Sequence, residues 1–411
     1  MDTTAKIADK VIGKRETGTH EGMTSESQMK ALAYFGKHDI RYIDVDVPLL
    51  TQPHEAKCRV ILSTICSGSD GHIYAGELVG VKKGFVLGHE ALVEVLEVGS
   101  AVTKVKPGDR CAVSFCISCG SCDSCKRMEY SACSETNPSL SEERLFNHFT
   151  SAMFGYGLLF GDRRGLQAEQ CVVPFADTNL LLIPEQVHDE TAILFSDVLC
   201  TSYHAVEMTN LEPGQSIVIT GLGPIGLLAC RWAQLFGAST VIGVDCVQTR
   251  LDVAKNLGVT TINFKEQDVI QEVNRVLPQG ADAAIEAAGF RFAQGFIHKI
   301  ERALQLESDT PEILHQLIRV VRPYGAISVI ADYMGTANHF LIGALFGKHQ
   351  KLSGGQCPVQ RIFPLVLPYV LSGQMNPGFI VTHRATLEEG PEYYKMLDKK
   401  ERGVIKVLLS P

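Results

Sequence analysis

Four cysteines lie close together at spacings typical of a zinc-binding loop: Cys119, Cys122, Cys125 and Cys133. A tetrahedral zinc ion takes four thiolates at about 2.3 Å, and such short spacings supply all four from one loop. No coordination position is left for a substrate, so the pattern predicts a structural zinc in the loop 116–133. Cys116 is out of register with this set and is predicted to be a buried strand residue.

A glycine-rich turn follows one apolar strand-like run and precedes a helical stretch. Its residues are Gly221, Leu222, Gly223, Pro224, Ile225 and Gly226. The glycines permit a tight turn and let a pyrophosphate approach the start of the helix, which predicts a dinucleotide site. Asp245 ends the next strand-like run. Its carboxylate is predicted to bind the adenosine ribose hydroxyls and to repel a 2′-phosphate, which favours NAD(H) over NADP(H). Arg250 either stacks near the adenine or is a solvated helix residue, and we prefer the second interpretation.

Further residues indicate a second metal site of a different kind. Residues 88–90 contain His89 and Glu90 between two apolar runs, and Ser196 and Asp197 come shortly before the glycine-rich turn. The segment 66–72, which begins with a cysteine and ends with a histidine, lies upstream. A lone histidine is more often a core or surface group than a ligand. The hypothesis therefore depends on the combination.

Three stretches of sequence must position these groups. Residues 28–198 contain short strand-like runs separated by turns, which predicts a mostly β, barrel-like domain. Residues 199–345 alternate between strands and helices, which predicts an α/β domain with a doubly wound parallel sheet. Residues 346–411 are predicted to return to the first domain, with 404–409 as a closing strand.

Composition narrows the class of protein. The 411 residues are 45% hydrophobic and 20% charged, as in a globular protein of two domains, and the net charge of −8 argues against nucleic-acid or membrane partners. We find no apolar run long enough to span a bilayer. Residues 1–27 lack the apolar core of a signal peptide and are predicted to be a polar, disordered extension. Thirteen cysteines in such a chain indicate metal binding in a reducing, cytoplasmic compartment.

Taken together, these motifs resemble the zinc-dependent medium-chain alcohol dehydrogenase superfamily. The resemblance is strongest to the branch of glutathione-independent formaldehyde dehydrogenases and fungal zinc-type alcohol dehydrogenases, and it extends from about residue 28 to the C-terminus. It also draws on the segments 68–72, 174–177, 196–205 and 354–360. It implies a GroES-like catalytic domain, formed by both ends of the chain, around a Rossmann coenzyme domain. It further implies a homodimer or homotetramer.

The resemblance implies a catalytic zinc and a role for each residue around it. A cysteine near position 66, together with His89 and Asp197, would hold the metal. Asp70 would orient His89 from behind. Glu90 would lie behind the metal or enter its shell transiently.

The resemblance also implies the reaction. An alcohol and an aldehyde or ketone would be interconverted by hydride transfer with NAD(H), while zinc stabilises the charge on oxygen. Ser69 and His72 would carry the hydroxyl proton to solvent, and Thr201 would pack near the nicotinamide.

The chain departs from the family pattern at the first metal ligand. Without a gap, Ser67 takes the position of the ligand cysteine and Cys66 comes one residue early, on the opposite face if the strand continues. Three alternatives stay open. Cys66 ligates through a local bulge, Glu90 completes a site with His89 and Asp197, or the catalytic zinc is weak or lost because a serine hydroxyl is a poor ligand.

Two more departures concern the substrate. Val93 stands where the family has glycine, and Gly71 replaces an apolar residue. They suggest a substrate unlike common short alcohols, as in specialised metabolism. Two other functions stay open. One is a relative without catalytic zinc that reduces a conjugated double bond, as enoyl and quinone reductases do. The other is a non-redox isomerase, lyase or scaffold that still binds the cofactor.

Overall fold

A computed structural model describes residues 23–78, 80–289, 309–333 and 335–411. The chain forms two compact units: one contains the residues up to Cys200 together with Cys357–Pro411, and the other is Thr201–Gln356. The predicted boundaries at residues 198 and 345 lie before the observed ones. Most of the predicted polar extension, residues 1–22, lies outside the described residues. No helix in the described part of the chain is long and apolar enough to cross a membrane.

The numbering of strands and helices follows the order of the chain. The strands are β1 (Thr24–Gly36), β2 (Asp39–Pro48), β3 (Ala56–Ile65), β4 (Phe85–Val86), β5 (Ala91–Val98), β6 (Arg110–Val113), β7 (Cys116–Ile117), β8 (Ala152–Met153), β9 (Gln170–Val173), β10 (Leu180–Leu182), β11 (Ser216–Thr220), β12 (Thr240–Asp245), β13 (Thr260–Asn263), β14 (Ala281–Glu286), β15 (Val321–Val329), β16 (Lys351–Gly354), β17 (Val381–Thr386) and β18 (Lys406–Ser410). The α-helices are α1 (Ser69–Tyr74), α2 (Asp123–Lys126), α3 (Leu140–Phe146), α4 (Ala176–Asn179), α5 (Asp189–Ala192), α6 (Val198–Glu207), α7 (Pro224–Leu235), α8 (Gln248–Asn256), α9 (Val269–Val276), α10 (Glu312–Val320), α11 (Ile342–Gly347), α12 (Val359–Leu371) and α13 (Gly390–Lys399). Short 3-10 turns are Tyr130–Ala132, Leu158–Phe160, Ile193–Ser196 and Pro377–Ile380.

The first unit is built from mostly antiparallel sheets. Its largest sheet has the order β10-β6-β5-β3-β18-β17, and β9 also pairs with β3. Val60, Val93 and Val113 come from three neighbouring strands and share one buried apolar cluster, which explains why these strands are rich in β-branched residues. Val93 therefore fills the core of the sheet. β18 joins the N-terminal strands, so the predicted closing strand at 404–409 is confirmed with a start at Lys406.

The described residues of the second unit form a six-stranded parallel sheet. Its order is β13-β12-β11-β14-β15-β16, which is the doubly wound order in which the third, second and first strands are followed by the fourth, fifth and sixth. Every residue of β11 is buried, as expected for a central strand of a parallel sheet that is covered on both faces, and Ile217, Val218 and Ile219 supply its apolar core. The predicted α/β coenzyme fold is confirmed.

A buried carboxyl group ends β14 in this sheet. Oε1 of Glu286 accepts hydrogen bonds from the backbone N–H groups of Ala288 and Gly289, both at 2.9 Å. Burial raises the pKa of Glu286 to about 7, even though these two N–H groups lower it, and the charge of Asp332 adds to the rise. The folded chain therefore holds a proton on Glu286 at pH values where the unfolded chain has lost it.

This shift predicts a pH-dependent stability. Because the folded pKa of Glu286 lies above the unfolded value near 4.5, stability falls as the pH rises through that window up to about 7. Glu286→Gln removes this dependence, so from pH 5 to pH 8 the variant should gain stability relative to wild type, by up to about 3 kcal/mol. Thermal unfolding of both proteins across this range is the measurement. Parallel pH curves would contradict the assignment.

Candidate active site

The four cysteines of the predicted zinc loop lie together in one cluster. The Sγ atoms of Cys119 and Cys125 are 3.9 Å apart, and those of Cys122 and Cys133 are also 3.9 Å apart. A tetrahedron with zinc–sulfur distances of about 2.3 Å has edges of about 3.8 Å, so this spacing fits a zinc ion. Cys116 is buried in β7, as predicted, and does not belong to the cluster.

The backbone of the loop directs N–H groups at the sulfur atoms. The N–H groups of Ser121 and Cys122 donate to Sγ of Cys119 at 3.4 and 3.3 Å, and the N–H group of Cys119 donates to Sγ of Cys133 at 3.3 Å. Gly120 permits this turn with a φ of +77°, in the region that glycine tolerates best. Because these bonds favour the charged form of sulfur, they suit thiolate ligands.

A second buried group lies where several elements end or begin. Cys66 directly follows β3, His89 and Glu90 precede β5, and Asp197 follows the 3-10 turn Ile193–Ser196. One ligand atom from each of the four residues lies within 4.8 Å of those of the others. Nε2 of His89 is 3.6 Å from Oδ2 of Asp197 and 3.9 Å from Oε1 of Glu90. This arrangement offers the sulfur, nitrogen and oxygen donors that zinc accepts.

The geometry around Cys66 bears on the alternatives left open by the sequence. β3 ends at Ile65, so strand alternation does not govern the side chains that follow. The N–H group of Cys66 donates to Oδ2 of Asp70 at 2.9 Å, and a Cβ placed on Gly68 would lie 3.8 Å from Sγ of Cys66. The change of direction after β3 brings Cys66 into the group, whereas Ser67 is only half-buried. This geometry makes Cys66 a candidate for the first ligand.

Glu90 has a partner that the motifs did not reveal. Nζ of Lys406, on β18, lies 2.5 Å from Oε1 of Glu90, and both side chains are fully buried. Burial lowers the pKa of Lys406, but the charges of Glu90, Cys66 and Asp197 and the hydrogen bond to Glu90 together hold the pKa above its usual value. Because Glu90 is already paired with Lys406, the better candidate ligands are the other three members of the group, Cys66, His89 and Asp197. The sequence does contain one sign of this partner, because Lys406 is a charged residue inside the apolar run 404–409.

Asp70 lies beside His89, where the resemblance places it. Oδ1 of Asp70 is 3.2 Å from Nδ1 of His89, and both side chains are buried. Burial lowers the pKa of His89, but the charge of Asp70 and hydrogen bonds involving Asp197, Asp70 and Cys66 hold it well above its usual range. A proton kept on Nδ1 by Asp70 leaves Nε2 as the atom available to a metal.

The residues implied in proton transfer lie on or just after α1. Ser69 begins this helix and His72 follows one turn later. Nδ1 of His72 is 2.7 Å from Oε2 of Glu77, whose side chain is 28% exposed. Glu77 was not among the predicted residues. Thr201 is buried in α6 and belongs to the second unit.

The three glycines of the glycine-rich turn differ in what a side chain at each position would meet. Gly221 has a φ of +85°, and a Cβ there would lie 2.7 Å from a backbone nitrogen. A Cβ on Gly226 would lie 1.9 Å from a carbonyl oxygen, which only glycine avoids. Gly223 faces open space, as the approach of a pyrophosphate requires. The helix α7 begins at Pro224 and continues through Ile225, so its first turn lies next to this opening.

Asp245 is tied to the backbone around it. Its Oδ2 accepts from the N–H group of Leu222 at 2.8 Å, and its Oδ1 accepts from those of Cys246 and Val247 at 2.6 and 2.9 Å. Nη1 of Arg250 is 3.6 Å from Oδ2 of Asp245. Arg250 is only 9% exposed, so the preferred interpretation as a solvated helix residue is wrong. Its guanidinium group lies beside the Asp245 carboxylate.

Comparisons with known proteins agree with this architecture. Residues 52–185 match the family model of the alcohol dehydrogenase GroES-like domain, and residues 224–298 match that of zinc-binding dehydrogenases. A zinc-type alcohol dehydrogenase-like protein of Schizosaccharomyces pombe is 41% identical over 98% of this chain and 96% of its own length. A glutathione-independent formaldehyde dehydrogenase of Pseudomonas aeruginosa is 30% identical over 90% of this chain and 94% of its own.

The comparison with solved structures also finds an alcohol dehydrogenase. The alcohol dehydrogenase TADH from Thermus sp. ATN1 has a TM-score of 0.78 and 33% identity, and the match covers 93% of this chain and 99% of that one. The chain therefore belongs to the zinc-dependent medium-chain alcohol dehydrogenase superfamily. The predicted family, and with it the combination of GroES-like and Rossmann folds, is confirmed.

The cysteine loop allows a direct test. Cys122→Ser should lose about one zinc ion per chain and lower the midpoint of thermal unfolding, because a structural zinc contributes folding free energy. Metal analysis and a melting curve measure both effects. Cys246→Ser is the control, since Cys246 is also half-buried but lies outside both clusters. Unchanged zinc content and melting in Cys122→Ser would overturn the structural-zinc assignment.

Proposed function

We propose that this protein interconverts an alcohol and the corresponding aldehyde or ketone, using NAD(H) and a zinc ion held by Cys66, His89 and Asp197. The convergence of these three buried side chains carries the proposal. Three protein ligands leave a fourth position for substrate, as catalytic zinc sites do. The names of the Schizosaccharomyces and Pseudomonas relatives support the same substrate class.

The residues around the metal would divide the remaining tasks. When bound, zinc supplies Lewis acidity and the nicotinamide supplies the hydride acceptor. Ser69 accepts the hydroxyl proton of the substrate and His72, one turn further along α1, passes it on. Glu77, 2.7 Å from His72 and partly exposed, extends this route toward water. Lys406 holds Glu90 by an ion pair, away from the role of a permanent ligand.

A preference for NAD over NADP is part of the proposal. Asp245 brings a buried carboxylate to the glycine-rich loop, where it accepts from the N–H group of Leu222. A negative charge at this position disfavours a 2′-phosphate. The positive charge of Arg250 would attract a 2′-phosphate only weakly, because its guanidinium group already lies beside this carboxylate.

Assembly, location and the particular substrate stay predictions. β16 lies at the edge of the parallel sheet with every residue exposed, and such an edge favours pairing with a second copy in a dimer or tetramer. A cytoplasmic location rests on the reduced thiolates that the zinc loop requires. The suggestion of a specialised substrate gains no support from Val93, because that side chain packs in the sheet core.

The reaction can be tested with a panel of primary and secondary alcohols, each offered with NAD or NADP. We expect reduced cofactor to form, with a kcat/KM at least about 10-fold higher for NAD, a difference of about 1.4 kcal/mol. Metal analysis of the same preparation should give about two zinc ions per chain. Tight cofactor binding without turnover would favour a non-redox role. About one zinc per chain, with activity only on conjugated carbonyls, would favour the zinc-free reductase.

The first metal ligand can be tested with neighbouring variants. Cys66→Ser should lower zinc content by about one ion per chain and reduce kcat by at least about 100-fold, because even residues behind the ligands cost 10–100-fold when replaced. Ser67→Ala is the matched control and should leave metal content unchanged, since the group contains Cys66. If Ser67→Ala loses the metal and Cys66→Ser keeps it, the assignment of Cys66 is wrong.

A further inference from the structure

We propose that Gln167 and Tyr394 are positioning residues of the catalytic metal centre, acting on His89 through Asp70. The inference depends on the proposed function, because it concerns how firmly the metal is held at the site that contains His89. Neither residue belongs to a motif that the sequence singles out. Both come from segments far from His89 in the chain.

A continuous set of buried contacts connects these residues. Oη of Tyr394 donates to Oε1 of Gln167 at 2.8 Å. Nε2 of Gln167 donates to Oδ2 of Asp70 at 3.1 Å and to the carbonyl oxygen of Thr64 at 2.9 Å. Oδ1 of Asp70 then lies 3.2 Å from Nδ1 of His89. Tyr394, Gln167, Asp70 and His89 are 2%, 0%, 0% and 1% exposed, so water does not compete for these bonds.

The direction of each hydrogen bond is fixed by chemistry. The carbonyl oxygen of Thr64 can only accept, so the amide nitrogen of Gln167 must face it and the amide oxygen must face Tyr394. Tyr394 therefore donates. Oδ2 of Asp70 accepts hydrogen bonds from N–H groups of both Gln167 and Cys66. Its other oxygen, Oδ1, lies 3.2 Å from Nδ1 of His89, which leaves Nε2 for the metal.

The backbone holds Gln167 against the segment that contains His89. The N–H group of Gln167 donates to the carbonyl of Leu87 at 2.9 Å, and its carbonyl accepts from the N–H group of Leu32 at 2.9 Å. A Cβ on Gly88 would lie 2.4 Å from Cγ of Gln167. The glycine before His89 is therefore required to admit the Gln167 side chain. Tyr394 arrives from α13, in the C-terminal part of the first unit.

Removing the amide should loosen the metal centre. In Gln167→Leu, Oδ2 of Asp70 loses one of its two N–H donors, and the buried hydroxyl of Tyr394 loses its acceptor. Both changes leave polar groups less well satisfied in a dry environment. Asp70 then holds the ring of His89 less firmly, so we expect weaker metal binding as well as slower turnover.

The test replaces the zinc at the mixed-ligand site with cobalt and follows its absorption while a chelator competes for the metal. Gln167→Leu should lower the cobalt affinity by about 10-fold and change the spectrum, as expected for an altered ligand orientation. Tyr394→Phe should act in the same direction with a smaller effect. The double variant should fall short of the sum of the two, because both residues act through one contact chain. Tyr74→Phe is the matched control. Its ring lies 5.7 Å from that of Tyr394, yet the set of contacts does not include it, and its affinity should match wild type.

The outcomes separate this inference from the proposed function. A wild-type chain that binds only the metal of the cysteine loop would overturn both. A wild-type chain with two metals, combined with unchanged cobalt affinity and spectrum in Gln167→Leu, would overturn the positioning role alone. A lower melting temperature without a change in affinity would also overturn it, because that is the result of a purely structural role. If Gln167→Leu does not fold, Tyr394→Phe gives the same readouts, and wild-type values in that variant would overturn the inference.

Discussion

The burial of negative charge around one histidine is the constraint that the rest of the first unit has to satisfy. An isolated buried charge costs several kcal/mol unless it is paired or coordinates a metal. The structure pairs two of the acidic groups within the protein. Asp70 receives N–H groups from Gln167 and Cys66, and Glu90 receives the ammonium group of Lys406. With a zinc ion bound as proposed, a Cys66 thiolate and the Asp197 carboxylate would add two further negative charges, and the charge of the ion would balance them.

The topology explains why these groups meet although they are far apart in sequence. β18 pairs with β3 so that Val407 lies opposite Ile65, which brings Lys406 next to the point where Cys66 leaves the sheet. β5 also pairs with β3, and His89 and Glu90 lie immediately before β5. The return of the chain to the first unit after the coenzyme domain is therefore a requirement of the site. Without β18, Glu90 would lose the ion pair that balances its charge.

The features that the sequence predicts correctly are those with local causes. The cysteine loop and the glycine-rich turn depend on spacings within one short segment, and the apolar runs of the second unit identify a parallel sheet. Lys406, Gln167 and Tyr394 were missed because their roles arise only from long-range pairing. The question of Cys66 against Ser67 stayed open because alternation applies to a continuing strand, whereas β3 ends at Ile65.

Arg250 also shows that local sequence does not predict long-range contacts, because this residue is expected to be solvated and is in fact buried. A charged residue on a helix is usually solvated, and only the packing of α8 beside β12 places this guanidinium next to the Asp245 carboxylate. A prediction from the helix pattern alone has no access to that contact. The motif locates the nucleotide loop, but the balance of charge beside it depends on tertiary structure.

The two candidate metal sites differ in charge, and the difference matches their surroundings. Four thiolates and one zinc ion carry a net charge of −2. The cysteine loop stabilises it with backbone N–H groups and with partial exposure of Cys119 and Cys122. One thiolate, one neutral imidazole and one carboxylate with zinc are neutral overall, and the Glu90–Lys406 pair beside them adds no net charge. A neutral centre is less costly in a buried site. As a proposed ligand, Asp197 would supply a harder oxygen donor where a second thiolate would give more electron density, which would leave a bound zinc ion more Lewis acidity.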